Sequence, residues 1–213
     1  MLKVNEIFYS IQGESSFAGL ACVFVRLTGC NLRCSWCDTT YAYDEGLDFS
    51  VEAVMARIRT YPCRLVEITG GEPLLQNDTP VLARLLLDQG YTVLVETNGS
   101  HNIDLLDTRC VRIVDMKCPS SGESEKNDLS NLERLTLQDE VKFVVGSRED
   151  YVFAKALLAR LPDCCTIKNI HFSPLCAMLP PARLAGWMLE DGIGARLSLQ
   201  LHKFIWPDKL RGV

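Results

Sequence analysis

Three cysteines on one short stretch, Cys30-Asn31-Leu32-Arg33-Cys34-Ser35-Trp36-Cys37, are the residues of this sequence best suited to chemistry. Thiolates bind soft metals, and a CxxxCxxC spacing on a single loop lets three sulfurs wrap one face of a cubane cluster. A closed site, whether structural zinc or an electron-transfer cluster, normally takes four protein ligands. Three ligands leave one metal without a side chain, where a small molecule can bind. The competing reading is zinc with a fourth ligand elsewhere, such as Cys22 or Cys63, although zinc sites usually pair two CxxC-type knuckles. The chain has ten cysteines. The seven outside the loop are mostly scattered through apolar stretches, where a cysteine is usually a small core hydrophobe.

A second motif, Gly70-Gly71-Glu72-Pro73, follows the strand-like run Leu65-Val66-Glu67-Ile68-Thr69. Glycines at a strand end let backbone come close to a ligand, an approach that a Cβ would obstruct. Alone, a Gly-Gly pair reads as an ordinary strand-to-helix turn. Here it lies one strand-and-helix unit after the cysteine loop.

The elements that carry these motifs alternate. Cys22–Leu27 reads as a strand leading into the cysteine loop. Val51, Val54, Met55 and Ile58 repeat at helical spacing behind Ser50 as N-cap. Thr79-Pro80 opens a helix that Gly90 closes. Tyr91–Glu96, Val111–Asp115, Val141–Val145 and Ile167–Ser173 read as further strands, with a last one over 196–202. Ser147 and Asp150 form a capping pair for a helix reaching Leu161, and another helix is expected over 181–190. The polar stretch 120–131 reads as a long loop ending in a short helix. About six strand–helix alternations give an α/β class with a mainly parallel sheet. Six units are too few for a closed eight-fold barrel, so the expectation is a partial (β/α)6-type barrel, with an open doubly wound sheet as the alternative. In either case chemistry gathers at the carboxyl ends of the strands, and both motifs lie there.

Length and composition agree. The 213 residues, 47% hydrophobic and 23% charged, suit one domain over 1–213 that buries about 70% of its surface. No apolar run approaches a membrane span, and Met1–Glu6 starts no signal peptide. A net charge of −5 argues against a broad basic surface for nucleic acid. Unpaired cysteines point to a reducing cytoplasm.

CxxxCx(aromatic)C, with Trp36 before the last cysteine, resembles the signature of radical S-adenosylmethionine enzymes. The N-terminal run Ile11-Gln12-Gly13-Glu14-Ser15 narrows the resemblance to the 7-carboxy-7-deazaguanine synthase family. So do Arg26 ahead of Cys30, Cys37-Asp38-Thr39, Thr69-Gly70-Gly71-Glu72-Pro73, Glu96-Thr97-Asn98-Gly99-Ser100, Asp115-Met116-Lys117 and Leu201-His202-Lys203-Phe204. The matches are in order and cover essentially the whole chain. The resemblance implies a radical ring contraction of 6-carboxy-5,6,7,8-tetrahydropterin to 7-carboxy-7-deazaguanine with loss of ammonia, in queuosine and 7-deazapurine biosynthesis. The implied cofactors are one 4Fe–4S cluster, S-adenosylmethionine, whose cleavage gives a 5′-deoxyadenosyl radical, and Mg2+.

Residue roles follow from the same resemblance. Cys30, Cys34 and Cys37 hold the cluster, and Thr39 offers a hard oxygen to magnesium. Trp36, Cys37, Asp38, Gly71, Asp115, Met116, Lys117, Ser173, Pro174, Leu175 and Cys176 surround S-adenosylmethionine. Ile11, Gln12, Gly13, Glu14, Arg26 and Thr69 hold the pterin. Glu14 can accept paired N–H donors of a 2-amino-4-oxo pyrimidine edge, and Arg26 presents a planar fork to the substrate carboxylate. His202, on the expected last strand, is left as structural. Asn98 reads either as a ribose contact or as the left-handed residue of an Asn-Gly turn. The residues after Trp206-Pro207 put a substrate contact by the chain end in doubt. The expected partners are a reducing donor such as flavodoxin and a second copy in a homodimer, with neither nucleic acid nor membrane. Two rivals remain: a glycyl-radical activase, which shares CxxxCxxC but needs no pterin clamp, and a zinc-stabilised binding module.

Overall fold

The computed structural model of the protein describes residues 1–176 and 178–213. Leu2–Ile11 forms β1, a ten-residue strand that the apolar pattern does not announce. It pairs antiparallel with β2 (Ala21–Leu27) on one side and with β3 (Leu47–Phe49) on the other. From β2 onward every pairing is parallel. The strands are β4 (Leu65–Gly70), β5 (Thr92–Thr97), β6 (Val111–Asp115), β7 (Glu140–Val145), β8 (Ile170–Pro174) and β9 (Arg196–Leu197). The order is β3-β1-β2-β4-β5-β6-β7-β8-β9, an open sheet with a parallel core, as the alternation of elements predicts.

Helices start where the sequence supplies caps. Ser50 accepts the Ala53 N–H at the head of α1 (Val51–Ile58), which buries Val51, Val54, Met55 and Ile58. α2 (Thr79–Asp88) carries proline in its first turn and runs out at Gly90, whose φ of 77° only glycine adopts readily. α3 (Arg148–Leu158) begins with a full capping box between Ser147 and Asp150. α4 (Pro181–Glu190) and the short α5 (Leu201–Ile205) complete the set. Among the described residues no helix is long and apolar enough to cross a membrane.

The connection from β5 to β6 holds a 3-10 turn at Ile103–Leu105, and the polar stretch before β7 is a loop with 3-10 turns at Pro119–Ser121, Ser124–Lys126 and Leu129–Leu132, the last at the place of the short helix expected there. One expectation changes. The strand expected over 196–202 stops at Leu197, and His202 sits on α5. Leu197, Leu199 and Leu201 alternate as in a strand, but the chain leaves the sheet after Leu197 and Leu201 opens α5.

Alternation along the strands separates two environments. Val66 and Ile68, Val93 and Val95, and Val141 and Phe143 join the helices in the main core. The opposite face begins with a second apolar cluster, Phe24, Leu65, Leu94 and Ile113 with Phe8 and Cys22. Two residues further toward the carboxyl ends that face turns polar, with Arg26, Glu67, Glu96 and Asp115. Lys142, beside Asp115 in the β6–β7 register, joins them.

Candidate active site

This polar face lines a cavity of about 440 Å³, within the usual range for a small-molecule site. The cysteine loop leaves β2 and lies over the cavity, so Cys30, Cys34 and Cys37 all border it. Leu32 N–H (3.4 Å) and Asn98 Nδ2 (3.7 Å) both donate to Cys30 Sγ. Burial raises the Cys30 thiol and pushes Cys34 up to about 11. Such thiols stay neutral until a strongly charged metal centre takes the proton's place.

The glycine pair explains how the loop is held. A Cβ on Gly70 would stand 2.2 Å from the Leu27 carbonyl oxygen, and one on Gly71 would stand 2.0 Å from that of Gly29. Instead the β4 turn lies flat against the end of β2, with Glu72 N–H donating to Gly29 O at 2.7 Å. The fully buried Glu72 carboxylate accepts from Leu74 N–H, Thr97 Oγ1 and Asn98 N–H at 2.7–2.9 Å, tying the turn to β5. Burial raises its pKa despite these donors. Its work is structural, and the glycine backbone faces the cavity.

At the floor, Lys142 Nζ lies 2.7 Å from Glu14 Oε2 and 2.6 Å from Glu96 Oε1. Desolvation pulls against the ammonium, but the carboxylates outweigh it and hold Lys142 well above its ordinary value. Desolvation likewise works against the Glu14 charge, and Lys142 outweighs it, so Glu14 is lowered. Glu67 behaves oppositely. Burial, followed by the negative charges of Glu96 and Glu14, raises it well above the carboxylate range. Gln12 bridges the group: its Nε2 donates to Glu67, and its Oε1 accepts the Glu14 N–H at 2.9 Å.

The chain carrying this site has counterparts among known proteins. A model of the radical SAM superfamily matches residues 24–113. The 7-carboxy-7-deazaguanine synthase of Koribacter versatilis is 42% identical, with all of both chains covered. That of Chlorobaculum tepidum is 46% identical over all of this chain and 97% of its own. The chain belongs to the 7-carboxy-7-deazaguanine synthase family. The crystal structure of QueE from Escherichia coli superposes with a TM-score of 0.79, at 28% identity over 94% of each chain. A structure of TYW1, at 14% identity and a TM-score of 0.53 over 80% of this chain, shares the fold alone.

Most residues expected for a 7-carboxy-7-deazaguanine synthase border the one cavity. Trp36 Nε1 donates to Ser120 Oγ at 3.2 Å, and Lys117 Nζ lies 5.6 Å from the centre of its ring. Lys117 pairs with Asp115 at 2.8 Å, while Asp115 Oδ1 is buried with no hydrogen-bond partner among the described residues. Gly71 and Leu175 border the same space. Thr39 donates to Asp38 Oδ1 at 3.0 Å. Lys203, 2.8 Å from the other oxygen, outweighs desolvation and holds Asp38 low, at about 2. Ile11, Gly13 and Thr69 also line the cavity. Arg26 Nε donates to Glu6 Oε1 at 2.8 Å, and Tyr41 OH reaches the same oxygen at 3.2 Å.

Four expected residues stand apart from the cavity wall. Met116 is buried in the main core, so only its backbone could serve a ligand there. Ser173 is fully buried on β8 with its hydroxyl unpartnered, and Pro174 follows it in the strand. Cys176 is exposed, with its thiol toward Pro174 O at 3.8 Å. The left-handed residue of the Asn-Gly turn is Gly99, at φ 75°, and Asn98 instead braces Cys30 and Asn31. The chain end also differs from expectation. Leu210 and Val213 border the cavity, and Gly212 N–H donates to Glu6 Oε2 at 3.1 Å.

Sequence reasoning passed over Glu67, Glu96, Lys142 and Gln200, and set His202 aside. The His202 imidazole packs where a Cβ on Gly13 would be, 2.4 Å from Nδ1, and burial lowers its pKa. The donor set fits the family's cofactors. Among the described residues no three His, Cys, Asp or Glu side chains gather tightly enough for a single ion. A cubane spreads its thiolates over separate irons. Neither proposed fourth zinc ligand lines the cavity: Cys22 packs in the inner apolar cluster, and Cys63 Sγ donates to Ala21 O at 3.1 Å. Thr39 supplies one hard oxygen, which suits a magnesium ion that takes its other ligands from water and substrate.

Proposed function

We propose that this chain converts 6-carboxy-5,6,7,8-tetrahydropterin to 7-carboxy-7-deazaguanine, a radical ring contraction with loss of ammonia, and that the cavity residues divide between cofactor and substrate. The observation that carries the division is the single cavity with thiols on one side and a carboxylate-rich floor on the other. When bound, the 4Fe–4S cluster with S-adenosylmethionine supplies one-electron reduction and hydrogen-atom abstraction, and Mg2+ supplies a Lewis acid for the substrate carboxylate.

Cys30, Cys34 and Cys37 hold the cluster. The Gly71 backbone, Trp36, Asp38, Leu175 and the Asp115–Lys117 pair form the walls for S-adenosylmethionine, with the Met116 backbone and the Ser173-Pro174 strand end behind them. Thr39 orients magnesium. Gln12 fixes the turn that presents Glu14, whose carboxylate accepts N–H donors from the pyrimidine edge. Lys142 keeps Glu14 ionised for that task. Arg26, held in place by Glu6, presents its free guanidinium nitrogens to the substrate carboxylate. Ile11, Gly13 and Thr69 shape the wall around the ring. Orientation of this kind is a large part of radical catalysis, because a hydrogen atom moves only over a short contact.

The family resemblance alone supports three further points: a flavodoxin-type electron donor, a homodimer and a cytoplasmic location. The last is also consistent with ten free cysteines. The test is anaerobic reconstitution with iron and sulfide, followed by S-adenosylmethionine, dithionite and the carboxytetrahydropterin. A brown protein forming the deazaguanine, with iron lost in Cys34→Ala and kept in Cys164→Ala, is the expected result. Colourless protein with stoichiometric zinc would overturn the proposal.

A further inference from the structure

One side chain on the cavity wall has an atom left over. Gln200 lies between β9 and α5 and is 8% exposed. Its Nε2 donates to Glu14 Oε1 at 2.8 Å, and its Oε1 is shut away from water with no donor. A carboxylate only accepts, so the amide must turn its nitrogen toward Glu14 and its oxygen away. Glu14 beside it has one oxygen on the Gln200 amide, and its Oε2 has the Lys142 ammonium 2.7 Å away. Both residues line the cavity, and among the described residues the Gln200 Oε1 has no donor while Glu14 Oε2 has Lys142 alone. Buried acceptors are nearly always paired, so each such exception calls for a partner. Helix capping does not account for Gln200, because its side chain makes no bond to the head of α5.

The chemistry that satisfies both oxygens is a cluster of N–H donors on one edge of a ring. A 2-amino-4-oxo pyrimidine has three in a row: the ring N3–H and the two hydrogens of the exocyclic amino group. A carboxylate can pair with the first two. The third points sideways, toward whatever flanks that carboxylate. We propose that Gln200 is a specificity-determining residue, its Oε1 accepting the second amino hydrogen of the pterin while Glu14 takes the other two donors. This assignment rests on the pterin reading above. It makes the amino group, as well as the carboxylate, a feature that the enzyme selects.

The test is equilibrium titration of the cluster-loaded, S-adenosylmethionine-bound enzyme without reductant, so that binding is read with no turnover. Two ligands are compared: the carboxytetrahydropterin and its analogue with hydrogen in place of the 2-amino group. The wild type is expected to favour the amino compound strongly. Gln200→Met is expected to lose about tenfold in affinity for the amino compound while holding the desamino analogue within about twofold, the effect of one neutral hydrogen bond. S-adenosylmethionine affinity and iron content report whether the variant is intact, and Gln200→Ala replaces it in the same comparison if it is not. Equal loss for both ligands, or no loss for either, would overturn the specificity role. Wild-type enzyme that fails to bind the pterin would overturn the functional reading and this assignment together, a result separable from the first two.

Discussion

Replacing Glu67 with glutamine should stabilise the protein, increasingly so as the pH rises. Glu67 is 2% exposed and faces Glu14 and Glu96, with only Lys142 to offset them. Burial and those two charges raise its folded-state pKa well above the carboxylate range. Below the ordinary range both folded and unfolded chains hold the proton. Above it the unfolded chain gives the proton up and the folded chain keeps it, so folding binds a proton and stability falls by about 1.4 kcal/mol per pH unit. Glutamine carries no such linkage. It also reproduces the hydrogen bonding of the protonated acid, with its oxygen for the Gln12 Nε2 donor and its nitrogen toward Glu96. The advantage of Glu67→Gln should therefore grow with pH between 5 and 6.5, against the roughly 5–15 kcal/mol that holds a domain folded. Urea unfolding of the cluster-free chains, kept reduced and followed by circular dichroism across that range, measures it. A difference independent of pH, or a variant less stable than wild type at pH 7, would show that Glu67 is ionised in the folded protein and refute the reasoning.

Gly71→Ala should cost at least tenfold in S-adenosylmethionine affinity and reduce iron loading. The new Cβ would stand 2.0 Å from Gly29 O and 2.8 Å from Cys30 Cβ, so the cysteine loop has to move. Titration and iron analysis read both effects, and normal values for the two would mean that the loop yields freely. Arg26→Ala should weaken pterin binding about ten- to a hundredfold, the loss of a charge-assisted bond worth about 1.5–3 kcal/mol, while S-adenosylmethionine affinity is held. Full pterin affinity in that variant would move Arg26 out of the substrate clamp.

What the sequence discloses depends on how local the signal is. The cysteine loop, the glycine turn and the caps at Ser50 and Ser147 are legible because each is a few neighbouring residues whose chemistry needs no distant partner. The parallel strands are legible because they are buried on both faces and read as apolar runs. β1 is not, because its alternation is broken by Asn5 and Glu6 at the bulge. Gln200, His202 and the chain end enter the cavity only through the fold-back of the last segment, where Leu201 N–H donates to Gly13 O. No composition rule brings residue 201 to residue 13.

The polar floor lies between these cases. Glu67, Glu96 and Lys142 each interrupt an apolar run, and each taken singly reads as a solvent-facing position on a half-covered sheet. That reading conflicts with the parallel topology that the same sequence implies. A strand flanked by two others, with helices on one face and a small apolar layer below on the other, leaves little solvent for a charge to face. One charge in each of three such strands therefore requires that the charges meet, and the signs require that lysine lie between glutamates. The unequal count, with Glu14, Glu67 and Glu96 around Lys142, further requires that one acid keep its proton or a ligand bring donors. The first outcome is met at Glu67, and the substrate proposed above would supply the second at Glu14 and Gln200. An interior charge imbalance is thus readable from sequence once the sheet is known to be parallel, and it marks the surface to which the proposed substrate contacts are assigned.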